Sequence, residues 1–221
     1  MSKFEEIFPL IYVINLDSRP DRLNASIEEF KKIGLTSINR MPGQVYTYAP
    51  DAYTNGAIGC MLSHKFCLEE ALRQKKNVFI FEDDIEFLPY DNLNEIIDQC
   101  CDDLESIDWS LVYFSGNLLR PAFQKSNRLA KLTHAQSTVA YGVKYEFIEK
   151  LLSYFPTTTF TEPIDMTYAN RVIPENNCYI TIPMIAIQRK GYSDIELQEV
   201  DYTQYLEQRY WENLVYTEGI L

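Results

Sequence analysis

Two short apolar runs dominate the pattern of hydrophobic and polar positions, and charged residues follow each of them closely. Residues 10–16 read LIYVINL, and residues 78–81 read VFIF. Short runs rich in β-branched and aromatic side chains predict strands that are buried on both faces, as in a parallel sheet. After the first run, apolar side chains recur at helical spacing until Gly34, at Leu23, Ile27, Phe30 and Ile33. Residues 10–34 therefore predict a strand, a polar loop and a helix, the first half of a nucleotide-binding βαβ unit.

The alternation of strands and helices continues along the rest of the chain. Apolar residues at helical spacing predict further helices at 56–74, around 93–100, from Pro163, at 145–155 and around 201–214. Alternating or continuous apolar runs predict strands at 109–114, 137–143, 178–182 and 185–187. The irregular residues 117–136 predict a substrate loop or a hairpin around 129–132, and Gly, Pro, Asn and Ser residues predict a loop at 41–55 and a turn at 191–194. Strands separated by helices predict a single α/β domain over residues 1–221, in which 195–221 form an acidic, tyrosine-rich tail.

The second apolar run ends in three consecutive carboxylates, Glu82, Asp83 and Asp84. Ligands of open α/β sheets bind just beyond the carboxyl ends of the strands. Three negative side chains at that edge repel one another unless protons or a cation neutralise them, and oxygen ligands suit Mg²⁺ or Mn²⁺ together with substrate phosphates. The stretch therefore predicts a metal–diphosphate site. A solvated acidic turn is the alternative that these residues alone leave open.

Two arginines follow the first strand in the loop that leads to the first predicted helix. Arg19 and Arg22 are expected beside the carboxyl end of that strand, where guanidinium groups suit phosphate or carboxylate. They could instead be surface residues that pair with Asp17 and Asp21.

Small and polar residues open the helix that is predicted at 56–74. Gly59 and Cys60 allow another backbone or a ligand to approach closely. Ser63 and His64 follow, and Cys60 and His64 share one helical face because they are four residues apart. His64 could contact a phosphate or carboxylate, or it could be a buried residue whose hydrogen bonds are structural.

The charge of the chain limits its partners. Twenty basic and 32 acidic residues give a formal net charge of −12, which argues against nucleic acid and against electrostatic docking on an anionic membrane. No apolar run has the length of a membrane span, and the N-terminus lacks the features of a signal peptide. The five cysteines show no zinc-site spacing and suit a reducing cytosol. We expect a cytoplasmic protein with at most peripheral contact with the inner membrane face.

Several blocks of the sequence resemble glycosyltransferase family 25, the family of bacterial lipooligosaccharide galactosyltransferases and collagen galactosyltransferase domains. The blocks, in their order along the chain, are residues 13–22, 56–64, 81–85 and, more weakly, 187–195. The resemblance implies a GT-A fold, which is a Rossmann-like mixed sheet flanked by helices. It also implies a nucleotide-sugar donor, most often UDP-galactose, a divalent metal such as Mn²⁺ or Mg²⁺, and inverting transfer to a saccharide hydroxyl.

The resemblance assigns roles to the acidic stretch and to the donor pocket. Glu82, Asp83 and Asp84 resemble the family's form of the DxD motif, in which Asp84 is the best metal ligand and Glu82 or Asp83 holds ribose or a metal-bound water. Strand alternation predicts Glu82 and Asp84 on one side and Asp83 on the other. The donor pocket is expected to be formed by residues of the first two blocks: Asn15, Arg19, Arg22, Gly59, Ser63 and His64.

Two aspartates are candidates for the catalytic base. Inverting transfer needs a carboxylate that takes the proton of the acceptor hydroxyl. Asp165, at a predicted helix start, is the first choice, although the helix dipole alone favours an acidic residue there. Asp194 is the rival, either as the base or as a further metal ligand from the far side of the site.

These observations predict an enzyme that moves a hexose, galactose from UDP-galactose, to a saccharide acceptor such as a bacterial lipooligosaccharide or glycolipid. A phosphatase or phosphotransferase fits the acidic stretch poorly, because Asp84-Ile85-Glu86 lacks the expected Asp-x-Asp pattern. The alternative from another class is a catalytically silent module that binds a nucleotide sugar or a glycan. The sequence leaves the donor, the acceptor, the linkage and the oligomeric state open.

Overall fold

The structure is a computed structural model that describes residues 2–156 and 160–217. Within these ranges the helices are α1 Lys3–Ile7, α2 Pro20–Lys32, α3 Ala52–Gln74, α4 Leu93–Ser106, α5 Tyr145–Ser153, α6 Ile164–Thr167 and α7 Thr203–Asn213. Helix α6 continues into a π-helical turn at Tyr168–Val172 and a 3₁₀ turn at Ile173–Glu175. None of the helices in the described ranges combines the length and the apolar character that a bilayer crossing requires.

The strands are short, and most of them join one large sheet. They are β1 Leu10–Asn15, β2 Asn39–Pro42, β3 Val78–Glu82, β4 Ile85–Phe87, β5 Leu111–Tyr113, β6 Asn117–Leu118, β7 Ala122–Gln124, β8 Leu129–Lys131, β9 Ala135–Gln136, β10 Ala140–Val143, β11 Cys178–Thr181, β12 Ala186–Gln188, β13 Gly191–Ser193, β14 Gln198–Val200 and β15 Leu214–Val215.

The large sheet is mixed, with the order β15-β7-β8-β11-β5-β10-β3-β1-β2. Strand β1 is parallel to both β2 and β3, whereas β10 is antiparallel to β3 and to β5. Parallel pairing brings the carboxyl ends of β1 and β3 to the same edge. The predicted α/β fold, a mixed sheet flanked by helices, is confirmed.

Both faces of the sheet are covered, which explains the continuous apolar runs of β1 and β3. Leu10 and Ile80 belong to the core on the α3 and α5 side, while Val13 and Phe79 belong to the core beneath α1, α2 and α4. Phe79 packs against Phe114 with the ring centroids 4.5 Å apart. The acidic turn therefore follows a strand whose first four residues are fully buried.

Helix α3 begins one turn earlier than the sequence predicts. Asp51 caps it, since Asp51 Oδ1 accepts a 2.8 Å hydrogen bond from the amide of Thr54. Asn55, which stands just before the predicted start, lies within the helix, and its Oδ1 accepts a 2.8 Å hydrogen bond from the amide of Ala49. This contact fastens the preceding loop to α3.

Two other differences concern weakly patterned segments. Strand β2 lies at the sheet edge, is mostly exposed, and lies partly in a predicted loop because its sequence, NRMP, has no apolar alternation. The turn predicted at 191–194 is largely strand β13, which pairs antiparallel with β14. This hairpin places Asp194 directly after a strand.

Candidate active site

The carboxyl ends of β1 and β3 are linked by one buried side chain. Asn15 Nδ2 donates to Asp83 Oδ2 at 2.6 Å and to the Arg19 carbonyl at 2.8 Å. Arg40, from β2, donates through Nε to Asn15 Oδ1 at 3.0 Å. Asn15 therefore holds the acidic turn against the loop that carries the arginines.

Arg22 is the central cation of the site. Its guanidinium nitrogens lie 2.7 Å from Asp83 Oδ1, 2.5 Å from Asp84 Oδ2 and 3.3 Å from Asp194 Oδ2. The side chains of Arg22, Asp83 and Asp84 are each 16% exposed or less, so these ion pairs are largely shielded from solvent. Arg22, one of the residues expected in the donor pocket, thus joins all three aspartates.

The expected strand alternation does not continue through the acidic stretch. Strand β3 ends at Glu82, so Asp83 and Asp84 lie in a turn, and both of them contact Arg22. Glu82 faces another group, because its Oε1 accepts hydrogen bonds from Thr138 at 2.6 Å and lies 3.2 Å from His64 Nε2. Asp83, rather than Glu82, is the partner of Asp84.

Arg19 joins the same cluster from the solvent side. It donates to both carboxylate oxygens of Asp21, at 3.1 and 2.9 Å, and its Nη1 lies 2.5 Å from Asp194 Oδ2. The alternative of a surface pair with Asp21 is therefore present in the structure, together with the contact inside the site. Asp194 is held by two arginines, Arg19 and Arg22.

Gly59 and Ser63 fasten a loop to α3. A Cβ atom on Gly59 would lie 2.3 Å from the carbonyl oxygen of Gln44, so only glycine permits this approach. Ser63 Oγ donates to the Gly59 carbonyl at 2.7 Å and accepts from the Gln44 amide at 2.8 Å. Both residues shape the wall of a cavity next to the acidic turn.

His64 is fully buried and links Glu82 to the core. Its Nδ1 lies 2.9 Å from the hydroxyl of Tyr141, and its Nε2 faces Glu82. His64 is therefore a buried residue whose hydrogen bonds are structural, which is one of the two alternatives that the sequence leaves open. Its ring also borders the cavity near the acidic turn. Together with Cys60 it forms a second potential metal group, since ligand atoms of Cys60, His64 and Glu82 lie within 4.8 Å of one another.

Two cavities meet beside Glu82. The smaller has a volume of about 400 Å³ and is bordered by the acidic turn, α3, the loop at 43–47 and Asp194. The larger has a volume of about 610 Å³ and is bordered by Asp165 and by residues of the 193–206 segment. Glu82, Cys60 and Gln188 line both. The two candidate bases, Asp165 and Asp194, consequently face different cavities.

Burial and like charges shift the pKa values of the carboxylates. Burial, followed by the charge of Glu82, raises the pKa of Asp84 to about 7 although Arg22 opposes this shift. Burial acts in the same direction on Glu82, but hydrogen bonds and charge from His64, with Thr138 and Arg22, outweigh it and lower its pKa. Burial is also the main cause of the raised pKa of Asp165, to which the charge of Glu82 adds. Among Glu82, Asp84 and Asp165, Glu82 is therefore the carboxylate that ionises most readily.

The donor atoms around the acidic turn fit a hard divalent cation. Asp84 Oδ1 is buried and has no hydrogen-bond partner within the described ranges, whereas Oδ2 accepts from Arg22 and from Gln188. Carboxylate oxygens of Asp83, Asp84 and Asp194 converge on Arg22, and such oxygens are the ligands that Mg²⁺ and Mn²⁺ prefer. The thiol of Cys60, whose pKa burial raises, makes the Cys60 group less suited to these ions.

Three residues of the site carry little signal in the sequence. Thr138 and Arg40 lie in no conspicuous motif, and their contacts to Glu82 and Asn15 depend on which strands are neighbours in the sheet. Gln188 stands in the weak block at 187–195, and it donates to Asp84 Oδ2 at 3.1 Å. The topology could have identified Thr138 and Arg40, but the linear spacing could not.

Comparisons with known proteins agree on one family. The model of Glycosyltransferase family 25 (LPS biosynthesis protein) matches residues 8–168. A "Glycosyltransferase 25 family member" of Aedes aegypti is 29% identical over 181 residues, and the match covers 70% of this chain and 29% of that protein. The "Inactive glycosyltransferase 25 family member 3" of Homo sapiens is 27% identical over 176 residues, 67% of this chain and 29% of that protein. The chain thus spans less than a third of the length of these relatives.

A solved structure is also similar in part. The crystal structure of a glycosyltransferase involved in the glycosylation of the major capsid of PBCV-1 matches with a TM-score of 0.43 and 12% identity. The match covers 78% of this chain and 81% of that structure.

Proposed function

The chain belongs to glycosyltransferase family 25, and on that premise we propose that it transfers galactose from UDP-galactose to a hydroxyl of a saccharide, such as a lipooligosaccharide, with inversion at the anomeric carbon. The observation that carries the proposal is the junction of two cavities beside Glu82. The smaller, next to the acidic turn and the arginines, has room for a nucleotide sugar. The larger, next to Asp165, has room for the acceptor.

The donor end of the site combines cations and carboxylates. Arg19 and Arg22 can donate hydrogen bonds to diphosphate oxygens, which are good acceptors for guanidinium groups. In the absence of ligand these arginines are engaged by Asp21, Asp83, Asp84 and Asp194. We assign Asp83, Asp84 and Asp194 as the residues that would hold Mn²⁺ or Mg²⁺. When bound, the ion supplies positive charge near the leaving diphosphate.

Asp165 is the base in this proposal. It borders the larger cavity, and its raised pKa keeps it basic enough to accept a proton at neutral pH. The acceptor oxygen bonds to the anomeric carbon, the bond from that carbon to the phosphate oxygen breaks, UDP leaves with the electron pair, and the hydroxyl proton moves to Asp165. Asp194 is a weaker candidate, because two arginines already donate to its carboxylate.

A silent binding module is the second candidate, because the similar human protein carries the word "inactive" in its name. Both candidates bind a nucleotide sugar, so binding does not separate them. The intact carboxylate set, Glu82, Asp84 and Asp165, favours an enzyme, since a module that only binds has no need for a base beside the second cavity.

Release of UDP separates the two candidates. Wild-type protein is incubated with UDP-galactose, UDP-glucose or UDP-N-acetylglucosamine and Mn²⁺, with and without saccharide acceptors. We expect UDP release that rises with acceptor, is highest for UDP-galactose, and falls by ~10²-fold in Asp165→Asn. Asp98→Asn, on the exposed face of α4, is the matched control and should retain full activity. Binding of UDP without release from any donor would favour the silent module.

A further inference from the structure

Three tyrosines form an aromatic wall of the larger cavity, and two of them lie outside the part of the chain that the family model matches. Tyr202 and Tyr205 border it from the start of α7, beyond the residues 8–168 that the family model matches, and Tyr53 borders it from α3. Tyr53 and Tyr205 are 50% and 44% exposed. Flat aromatic surfaces that remain partly exposed in a cavity suit the C–H faces of sugar rings, because these are apolar surfaces of similar size.

Two of the tyrosines, Tyr202 and Tyr205, are held in place by their neighbours. The guanidinium of Arg209 lies 3.8 Å from the centroid of the Tyr205 ring, and the hydroxyl of Tyr202 donates to Glu196. Tyr53 lines the same cavity as Asp165 and Glu196, and burial, followed by the charges of these two residues, raises the pKa of Tyr53. The wall is therefore preorganised before an acceptor arrives.

The charge of this cavity has one sign. Four carboxylates line it, from Glu82, Asp165, Glu196 and Asp201, and among the described residues no lysine, arginine or histidine does. Lys190 pairs with Asp201 at 3.2 Å, but it does not border the cavity. A negatively charged acceptor would meet an excess of like charge in a partly enclosed space, where solvent screens it less than at an open surface.

We propose that the larger cavity is an acceptor subsite for an uncharged saccharide, and that its carboxylates exclude saccharides bearing carboxylate, phosphate or sulfate groups. The segment 196–205 is then the part of the chain that selects the acceptor. This inference rests on the proposed function for the identity of the reaction, but the selection by charge can be measured without turnover.

A glycan array that presents neutral, sialylated, uronic-acid, phosphorylated and sulfated glycans tests the binding claim directly. The protein is applied with UDP and Mn²⁺ at low ionic strength. We expect the bound glycans to be neutral, with signals for acidic versions of the same glycans lower by roughly tenfold or more. Equal or stronger binding of the acidic versions would overturn the proposal, and so would the absence of binding to both classes.

Variants assign the selection to this cavity. Tyr205→Ala should lose most of the neutral-glycan signal and Tyr205→Phe should retain it, because the ring rather than the hydroxyl forms the contact. Trp211→Ala, also on α7 but outside the cavity, is the matched control and should bind like the wild type. The pair Glu196→Gln and Asp201→Asn should gain signal for acidic glycans. Unchanged ratios in all of these variants would contradict the assignment.

The outcome is separable from that of the proposed function. If wild-type protein releases no UDP from any UDP-sugar yet binds neutral glycans, the transferase proposal fails and the subsite stands. If UDP is released but the array favours acidic glycans, the enzyme stands and the subsite fails.

Discussion

The close approach of α3 to the loop at 43–47 offers a sharp test of the donor cavity. In Gly59→Ala the new Cβ atom would lie 2.3 Å from the Gln44 carbonyl oxygen and 3.4 Å from its carbon. Ordinary contacts begin near 3.4 Å, so the loop must retreat by about 1 Å, which overpacking data put at ~1–3 kcal/mol of strain when the loop is held in place. The amide of Gln44 is tied to Ser63 Oγ, so the strain reaches the cavity wall.

The expected magnitudes differ for stability and for binding. Replacing a glycine inside a helix with alanine gains about 1 kcal/mol of helix propensity, which offsets much of the strain in the free protein. If the nucleotide binds only when the loop is in its original place, binding must supply the full ~1–3 kcal/mol of strain, which weakens the affinity for the nucleotide by ~5- to 150-fold. We therefore expect a nearly unchanged free energy of unfolding together with a clearly weaker affinity for UDP.

Calorimetric titration of UDP with Mn²⁺, combined with urea unfolding, measures both quantities. Asp98→Asn, on the exposed face of α4, is the control and should leave both quantities unchanged. Ser63→Ala, which releases the loop without adding bulk, should weaken UDP binding in the same direction. UDP affinity within twofold of wild type in Gly59→Ala would refute the assignment of this cavity to the nucleotide.

Three further predictions concern the charged groups. Arg22→Met should lower the free energy of unfolding by about 3 kcal/mol at pH 7 in EDTA, because it leaves buried carboxylates unpaired. The loss should shrink at pH 5, since burial already raises the pKa values of Asp83 and Asp84 and the removal of Arg22 raises them further, so that the variant gains more stability than the wild type as the pH falls; equal losses in urea unfolding at both pH values would contradict this. In the wild type, the acidic limb of the pH–rate profile should have its midpoint above the pKa range of an ordinary aspartate, because burial raises the pKa of Asp165. Asp165→Asn should remove this limb, and an unchanged limb in the variant would show that another group causes it. Arg19→Ala should weaken UDP-sugar affinity by ~10-fold while stability changes by less than about 1 kcal/mol, and unchanged affinity in calorimetry would remove Arg19 from the site.

The elements with strong patterns could be predicted from the sequence. Strands β1 and β3 are buried on both faces, so their continuous apolar runs identify them, and the acidic stretch is found at the strand end where it was expected. Strand β2 is an exposed edge strand without apolar alternation, so its local sequence resembles a loop. The α3 start was misplaced because both Asp51 and Asn55 are good capping residues, and only the fold decides which of them caps.

The site was less predictable than the fold, because its contacts join residues that are distant along the chain. Asp194 meets Arg19 across more than 170 positions, and Thr138 reaches Glu82 only because β10 is the neighbour of β3. The alternation applied to Asp83 and Asp84 failed because the strand ends at Glu82, one residue before the pair. Successive side chains point to opposite faces of a strand only while the backbone stays extended.

Binding of UDP at the acidic turn shows directly whether this turn is a metal–diphosphate site. UDP is titrated calorimetrically into wild type and into Asp84→Asn, each with Mn²⁺ and again with EDTA. The carboxylate of Asp84 is buried beside Asp83 and Arg22, and one of its oxygens has no partner within the described ranges, so the amide variant should lose the metal-dependent part of UDP affinity. We predict tight binding in wild type with Mn²⁺ and much weaker binding in the other three titrations, whereas equal affinity in all four would contradict a metal–diphosphate site and favour a solvated acidic turn.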